Sequence, residues 1–303
     1  MTISETLRDA AQKLQPKKIV CDLDRDVGRL ESEILLAHAL NRDRAWLLAR
    51  PDYRLPTTDY RLFAKLVSRR ELHEPIAYIL GRKEFYGRDF KVTPDVLIPR
   101  PETELMVDLI TRTTSYGLRA TDPFIWDLGT GSGALAVTLS KEIEGSTILA
   151  TDISPKALAV ARRNAKTYNA KNITFHATDL LDAKILVRLR EASKKFPALV
   201  IAANLPYLPS SDMKVLDPDV VDFEPSKALF AGKDGLALIR KFLTQLARHH
   251  GSLGFETIRT YLEFDPPQVA ELKRLAKRLF PKAKTEIHKD LAERNRVFVL
   301  SLP

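Results

Sequence analysis

Cysteine is almost absent: Cys21 is the only one in 303 residues. No intrachain disulfide can form, which fits a reducing, cytoplasmic setting, and the lone thiol reads as a small packing residue. Long apolar runs are also missing. None approaches the roughly 20 residues that a membrane-spanning helix needs. The opening residues, Met1-Thr2-Ile3-Ser4-Glu5, lack the basic-then-apolar layout of a signal peptide, and Glu5 and Asp9 argue against an organellar transit peptide. The histidines (His38, His73, His176, His249, His250, His288) show no metal-ligand spacing with cysteines or acids, so no metal is expected. His249-His250 ends a helical stretch and reads as a partner of its dipole. Internal repeats and low-complexity tracts are not found.

What is present describes a globular protein. Hydrophobic residues make up 45% and charged residues 29%. The length allows two domains. Net charge is +9, which keeps nucleic acid among the candidate partners. Residues 1–82 nevertheless carry 15 basic and 12 acidic side chains, a near balance. The stretch 273–284 holds Lys273, Arg274, Lys277, Arg278, Lys282 and Lys284 with no acid. Aromatics are scarce there, so a solvated helix face is the preferred reading over single-strand binding.

Helical spacing dominates residues 1–82, where Val27, Leu30, Ile34 and Ala37 recur at steps of three and four. A second helix is expected over 58–70, with Leu62, Leu66 and Val67 apolar. This part reads as a small helical bundle. Residues 83–101 read as a hairpin and stiff linker: Phe85-Tyr86-Gly87 lies between aromatic and β-branched residues, and Pro94, Pro99 and Pro101 follow. From 102 onward helices and apolar strands alternate. Strands are expected at 123–128, 147–151, 172–176, 198–203, 252–256, 284–288 and 295–301. Helices are expected at 102–116, 134–142, 155–168, 235–249 and 267–279, with a further helical segment between the strands at 172–176 and 198–203, and a long loop at 205–233. Ser154 and Pro155 mark a helix start. The pattern predicts an α/β fold, a seven-stranded doubly wound (Rossmann-like) parallel sheet whose last strand runs antiparallel.

Two motifs carry chemistry. Asp127-Leu128-Gly129-Thr130-Gly131-Ser132-Gly133 closes the first strand of the alternating region and opens a helix. Such a turn lets backbone approach a nucleotide-like ligand, so Gly129, Thr130, Gly131, Ser132 and Gly133 are expected to bind cofactor. Asp152 ends the next strand, placed either to hold ribose hydroxyls or to cap the following helix. Asp179 and Leu180 follow the third strand. The acid could accept from an adenine amino group or be a plain loop residue, and Leu180 could pack on the ring.

The second motif is Asn204-Leu205-Pro206-Tyr207, after the apolar run Ala198 to Ala203. An amide or exocyclic amino nitrogen is a poor nucleophile because its lone pair is delocalised. Accepting hydrogen bonds from its N–H groups pushes density back as positive charge develops. The Asn204 side-chain oxygen and the Leu205 carbonyl could do so, with Tyr207 stacked on the planar group. The alternative is a simple turn, which Asn and Pro both favour. Together the motifs suggest methyl transfer from S-adenosylmethionine to a poorly nucleophilic nitrogen, leaving S-adenosylhomocysteine.

The chain resembles the release factor glutamine methyltransferases. The likeness is carried by Glu74-Pro75-Ile76-Ala77-Tyr78-Ile79-Leu80-Gly81, by Phe85-Tyr86-Gly87, and by Ile98-Pro99-Arg100-Pro101-Glu102-Thr103-Glu104. The glycine turn, Asp152, the Asn204 element, Glu224-Pro225, Ala231 to Gly235 and Lys289 to Arg296 continue it. The resemblance implies a methyltransferase domain over 102–303. It implies a substrate, the glutamine of the Gly-Gly-Gln loop in bacterial-type release factors, modified at N5. It also implies that residues 1–82 contact the factor, and that Arg100 and Glu102 join the Asn204 element at the substrate. Most members have proline where this chain has Leu205, and some have tryptophan near Leu180. A monomer is expected. An N6-adenine nucleic-acid methyltransferase shares the Asn-x-Pro-Tyr chemistry, and a cofactor-binding module without activity is a further alternative.

Overall fold

The computed structural model describes residues 1–15, 24–117 and 123–303; Cys21 lies outside the described residues. Two compact units are formed, Met1–Arg82 with Asp217–Phe223, and Lys83–Leu216 with Glu224–Pro303.

The first unit contains helices α1 (Ile3–Lys13), α2 (Asp24–Leu40), α3 (Arg44–Leu48), α4 (Thr57–Glu71) and α5 (Ile76–Leu80). Thr2 and Glu5 form a capping box that satisfies free N–H groups at the start of α1. The core gathers Ile3, Ala10, Leu35, Leu36, Leu47, Phe63, Leu66, Val67 and Ile79. The α2 face differs from the expected one. Leu30 is 42% exposed, whereas Ser32, Leu35 and Leu36 are fully buried. The cause is Gly28: a Cβ there would lie 2.6 Å from the Ala11 carbonyl oxygen of α1. Small groups at Gly28 and Ser32 let the two helices approach, and this rotates the buried stripe away from Val27 and Leu30. On α4, Phe63, Leu66 and Val67 are buried, and Leu62 is 45% exposed.

The short helix Pro218–Val221 belongs to this unit. Its Asp219 meets the Arg70 guanidinium at 2.5 Å, and Arg70 also binds Glu31 at 2.8 Å.

In the second unit, β1 (Arg82–Phe85) and β2 (Arg88–Lys91) form the hairpin, turning through Tyr86 and Gly87. A 3₁₀ turn at Pro101–Thr103 leads into α6 (Glu104–Gly117). The large sheet holds β3 (Phe124–Leu128), β4 (Thr147–Asp152), β5 (Ile173–Ala177), β6 (Ala198–Ala203), β7 (Thr257–Glu263), β8 (Lys284–Lys289) and β9 (Asn295–Leu302). Their order is β5-β4-β3-β6-β7-β9-β8, with β9 antiparallel to both neighbours. Between strands run α7 (Ala134–Glu142), α8 (Pro155–Thr167), α9 (Ala183–Ser193) and the helices Ala237–His249 and Val269–Leu279.

One strand lies elsewhere than expected. Residues 250–252 form a 3₁₀ turn and Gly254 adopts φ +87, so the strand begins only at Thr257. Leu253 and Phe255 are buried apolar residues of the connection. The expected long loop contains three short helical turns, at Ser210–Lys214, Pro218–Val221 and Ser226–Leu229.

Strand β6 shows how the sheet is held. Leu199, Ile201 and Ala203 join one hydrophobic cluster, and Val200 and Ala202 join the cluster on the other face. Successive side chains of a strand point to opposite faces, so a continuous apolar run suits a strand covered on both. On the helix Val269–Leu279, Leu272, Leu275 and Ala276 are buried, while Lys273, Arg274, Lys277 and Arg278 face solvent.

The Gly28 contact sets an expectation for the first unit. Gly28→Ala gains about 1 kcal/mol of helix propensity. It pushes the Ala11 and Gln15 backbone away from α2 at a cost of about 1–3 kcal/mol. Net destabilisation is expected, read as a lower thermal midpoint for this unit.

Candidate active site

Strand register builds the site. Leu128 pairs with Thr151 on one side and with Ala203 on the other, and Ala203 pairs with Leu262. One residue further on, Asp152, Gly129, Asn204 and Glu263 form a row at the carboxyl ends of four adjacent strands. With strands about 4.8 Å apart, the row spans about 14 Å. The chain reverses its direction of travel across the sheet between β3 and β6, the place where open α/β sheets hold ligands. Gly129 and Asn204 stand on the two sides of that point.

Gly129, Gly131 and Gly133 all have φ between +53 and +80, a region that favours glycine. The turn is tied to β4. Gly129 and Thr130 N–H groups both donate to the Thr151 carbonyl, at 2.9 and 2.8 Å. Gly131 N–H donates to Asp152 Oδ2 at 2.9 Å, and Ser154 N–H donates to Oδ1 at 2.8 Å. A Cβ on Gly131 would meet nothing within 4 Å, so backbone faces open space there. Ser154 itself caps α8, its Oγ accepting from Ala157 N–H. Helix capping therefore falls to Ser154, and Asp152 braces the glycine turn. Ser132 is buried, and its carbonyl accepts from Asn164 at 2.8 Å.

Asp127 is 2% exposed. Burial pushes its carboxyl up to about 7, against hydrogen bonds from Thr130 Oγ1 and the Ala136 N–H, and the Asp152 charge adds to the rise. Burial raises Asp152 too, opposed by N–H donors from Ser154, Gly131 and Ile153. Asp179 forms a partly exposed ion pair with Lys241 at 2.7 Å. Leu180, at φ +57, is 6% exposed and packs in the main cluster. Ile153, by contrast, is 65% exposed beside Asp152. Sequence reading passed over Ile153, although an isoleucine after the strand-end acid was a visible signal.

At Asn204 a buried polar chain begins. Asn204 Nδ2 donates to Thr103 Oγ1 at 3.0 Å, and Thr103 Oγ1 donates to Glu263 Oε2 at 2.6 Å. Tyr207 donates its hydroxyl to Glu263 Oε1 at 3.0 Å. Glu263 is fully buried, and burial raises its pKa, with Thr103, Tyr207 and Arg296 pulling the other way and Glu102 adding to the rise. Tyr207 is raised by burial and by Glu263. Gln268 Nε2 holds the Tyr207 carbonyl at 2.7 Å and the Asp234 carbonyl at 2.9 Å. Leu205 is buried and Pro206 half-buried.

Arg100 is committed to Glu224 through an ion pair of 2.5 Å, and Glu224 also accepts from Ile98 N–H at 3.0 Å. Glu102 is half-buried, near enough to Tyr207 and Glu263 for its charge to act on both. The site thus unites Gly129 to Gly133, Asp152, Asn204 and Tyr207. Glu263 and Gln268 are additions that sequence reading missed: the strand was expected to end at 256, and Gln268 fell at the start of the helix expected at 267–279.

The raised Asp127 gives a pH-dependent stability. The unfolded aspartate loses its proton near pH 4 and the folded one near 7, so the folded state binds more protons between those values. The stability of the native chain relative to Asp127→Asn should fall by about 1.4 kcal/mol per pH unit across that window and level off above it. Denaturant melts of both proteins at pH 5, 6 and 8 check this.

Comparison with known proteins gives the same direction. Residues 5–81 match the PrmC N-terminal domain, and residues 125–217 match a methyltransferase domain. The release factor glutamine methyltransferase of Koribacter versatilis (strain Ellin345) is 36% identical over 82% of this chain and 82% of its own length. That of Nitratidesulfovibrio vulgaris is 39% identical over 84% and 82%. That of Bacillus anthracis is 32% identical over 98% of both. Among solved structures, the hMettl16 catalytic domain in complex with MAT2A 3'UTR hairpin 6 aligns with a TM-score of 0.54 at 16% identity, covering 78% of this chain and 81% of that one, which is a likeness of fold. On the identity and coverage of its relatives, the chain belongs to the release factor glutamine methyltransferases.

Proposed function

We propose that this methyltransferase moves a methyl group from S-adenosylmethionine to the side-chain amide nitrogen, N5, of the glutamine in the Gly-Gly-Gln loop of peptide chain release factors. The observation that carries the proposal is the amide of Asn204. It stands at a strand tip beside the glycine turn, with its nitrogen already spent on Thr103. Its oxygen is the atom left to accept a hydrogen bond from a target N–H.

The residues present suit S-adenosylmethionine. Open backbone at Gly131 gives close approach for a methionine carboxylate, whose charge the N-terminus of α7 favours. Beyond the N–H groups of Gly131, Ser154 and Ile153, the Asp152 carboxylate keeps one lone pair, enough for a ribose hydroxyl. Ile153 offers an exposed apolar face for adenine, alongside Asp179 and Leu180. When bound, S-adenosylmethionine supplies an electrophilic methyl group. The chain then has two tasks. Asn204 Oδ1 and the Leu205 carbonyl accept the two N–H groups of the target amide, which localises its lone pair on nitrogen. Tyr207, fixed at its hydroxyl by Glu263 and at its carbonyl by Gln268, holds the planar amide by stacking, with Pro206 walling the pocket. The first unit contacts the release factor, with Arg100 and Glu102 toward the substrate.

The test is transfer of labelled methyl from S-adenosylmethionine to purified, unmethylated release factor, with mass mapping. One methyl on the Gly-Gly-Gln glutamine is expected. Asn204→Ala should lower kcat by about 100-fold or more while cofactor affinity stays within about threefold. Methylation of another residue, or full turnover by the variant, overturns the proposal.

A further inference from the structure

Proton counting gives the Asn204 amide a single orientation. Thr103 Oγ1 has one proton, and with Glu263 ionised its Oε2 takes that proton at 2.6 Å. Thr103 is then an acceptor for Asn204, at 3.0 Å. The amide nitrogen must face Thr103, and the amide oxygen must face the other way.

We propose that Glu263, acting through the Thr103 hydroxyl, is the positioning residue that turns the Asn204 oxygen toward the target nitrogen. The inference rests on reading Asn204 as the acceptor for the glutamine amide. Glu263 touches neither substrate nor cofactor, and its effect is on which atom Asn204 presents. A flipped Asn204 would present its NH₂ to the N–H groups of the target, donor against donor, and stabilise nothing.

The setting of Glu263 fits this task. It has no exposed surface, and both oxygens are occupied, one by Thr103 and one by Tyr207. Arg296 on β9 supplies positive charge and Glu102 a like charge. Arg296 is itself held by Asp290 at 3.2 Å. An ionised Glu263 can only accept, so both hydroxyls must point to it. A protonated Glu263 can donate to Thr103, whose own proton then turns toward Asn204 and favours the flipped amide. Burial raises the pKa of Glu263, so this reversal should be met at a higher pH than for an ordinary glutamate.

Thr103→Val keeps the shape and removes the hydroxyl; Thr103→Ser keeps the hydroxyl. With release factor as substrate, Thr103→Val should lower kcat by roughly 10- to 100-fold with cofactor affinity unchanged, and Thr103→Ser should recover at least a third of the native rate. At saturating cofactor the native kcat should fall on the acid side as Glu263 protonates, and that limb should be lost in Thr103→Val. A second readout needs no substrate. In protein with ¹⁵N-labelled asparagine, the Asn204 side-chain NH₂ signal, assigned by its loss in Asn204→Ala, should keep one slowly exchanging proton in the native chain and Thr103→Ser, and lose it in Thr103→Val. Native kcat in Thr103→Val, or equal losses in Val and Ser variants, overturns the proposal. If the native enzyme leaves the release factor unmodified, the assignment of substrate fails, and the exchange measurement still decides the orientation.

Discussion

The parallel register of β4, β3, β6 and β7 is the constraint on which the rest depends. It brings Asp152, Gly129, Asn204 and Glu263 level with one another, although they are spread over 129 to 263 in sequence. A one-residue slip of β6 would exchange Leu199, Ile201 and Ala203 with Val200 and Ala202 between the two faces. It would also carry Asn204 about 3.3 Å along the strand, out of reach of Thr103. The apolar packing that holds the sheet therefore also fixes the site.

Three acids at this edge, Asp127 and Glu263 buried and Asp152 half-buried, are handled in three ways. Asp152 accepts from backbone N–H groups, which belong to the fold and cannot move away. Asp127 has a hydroxyl and one N–H but no cation among the groups that shift it, and it rises to about 7. Glu263 has two hydroxyl donors and the nearby charge of Arg296. A buried charge is costly unless it is compensated, and in all three acids burial outweighs the donors and raises the pKa. Compensation by hydroxyls has a further property. A hydroxyl gives its proton one way and receives another, so it passes direction along the chain from Glu263 to Asn204.

Much of this was legible in the sequence, for physical reasons. The β-α alternation, the apolar run of β6, the glycine turn and the Ser154 cap are local patterns, and local patterns survive folding. The failures are tertiary. The α2 stripe was expected on Val27 and Leu30, but close approach to α1 at Gly28 moved it. Strand β7 was expected at 252–256 because Leu253 and Phe255 look like core, which they are. The true strand was disguised by Arg259 and Glu263. Glu263 is tolerated there because Thr103, 160 positions earlier, and Tyr207 meet its two oxygens. No spacing rule reaches across that distance.

Leu205 illustrates how one fold holds a segment by different means. Proline, usual at this position in the family, limits the backbone through its ring. Leucine has no such ring, although Pro206 behind it still disfavours helical backbone. The side chain makes up the difference by packing. Leu205 is 4% exposed and joins the main cluster with Leu128 and Leu180. Its Cδ2 would stand 3.3 Å from a Cβ placed on Gly129, so the leucine lies directly against the glycine turn. The Leu205 peptide is thereby wedged between the turn and the core. Burial of a leucine stabilises by about 1.5–3 kcal/mol, comparable with or larger than the entropy that a proline removes from an unfolded chain. Packing at Leu205 ties the Asn204 element to the glycine turn directly, a link that a proline, with no side chain reaching beyond its ring, makes less deeply.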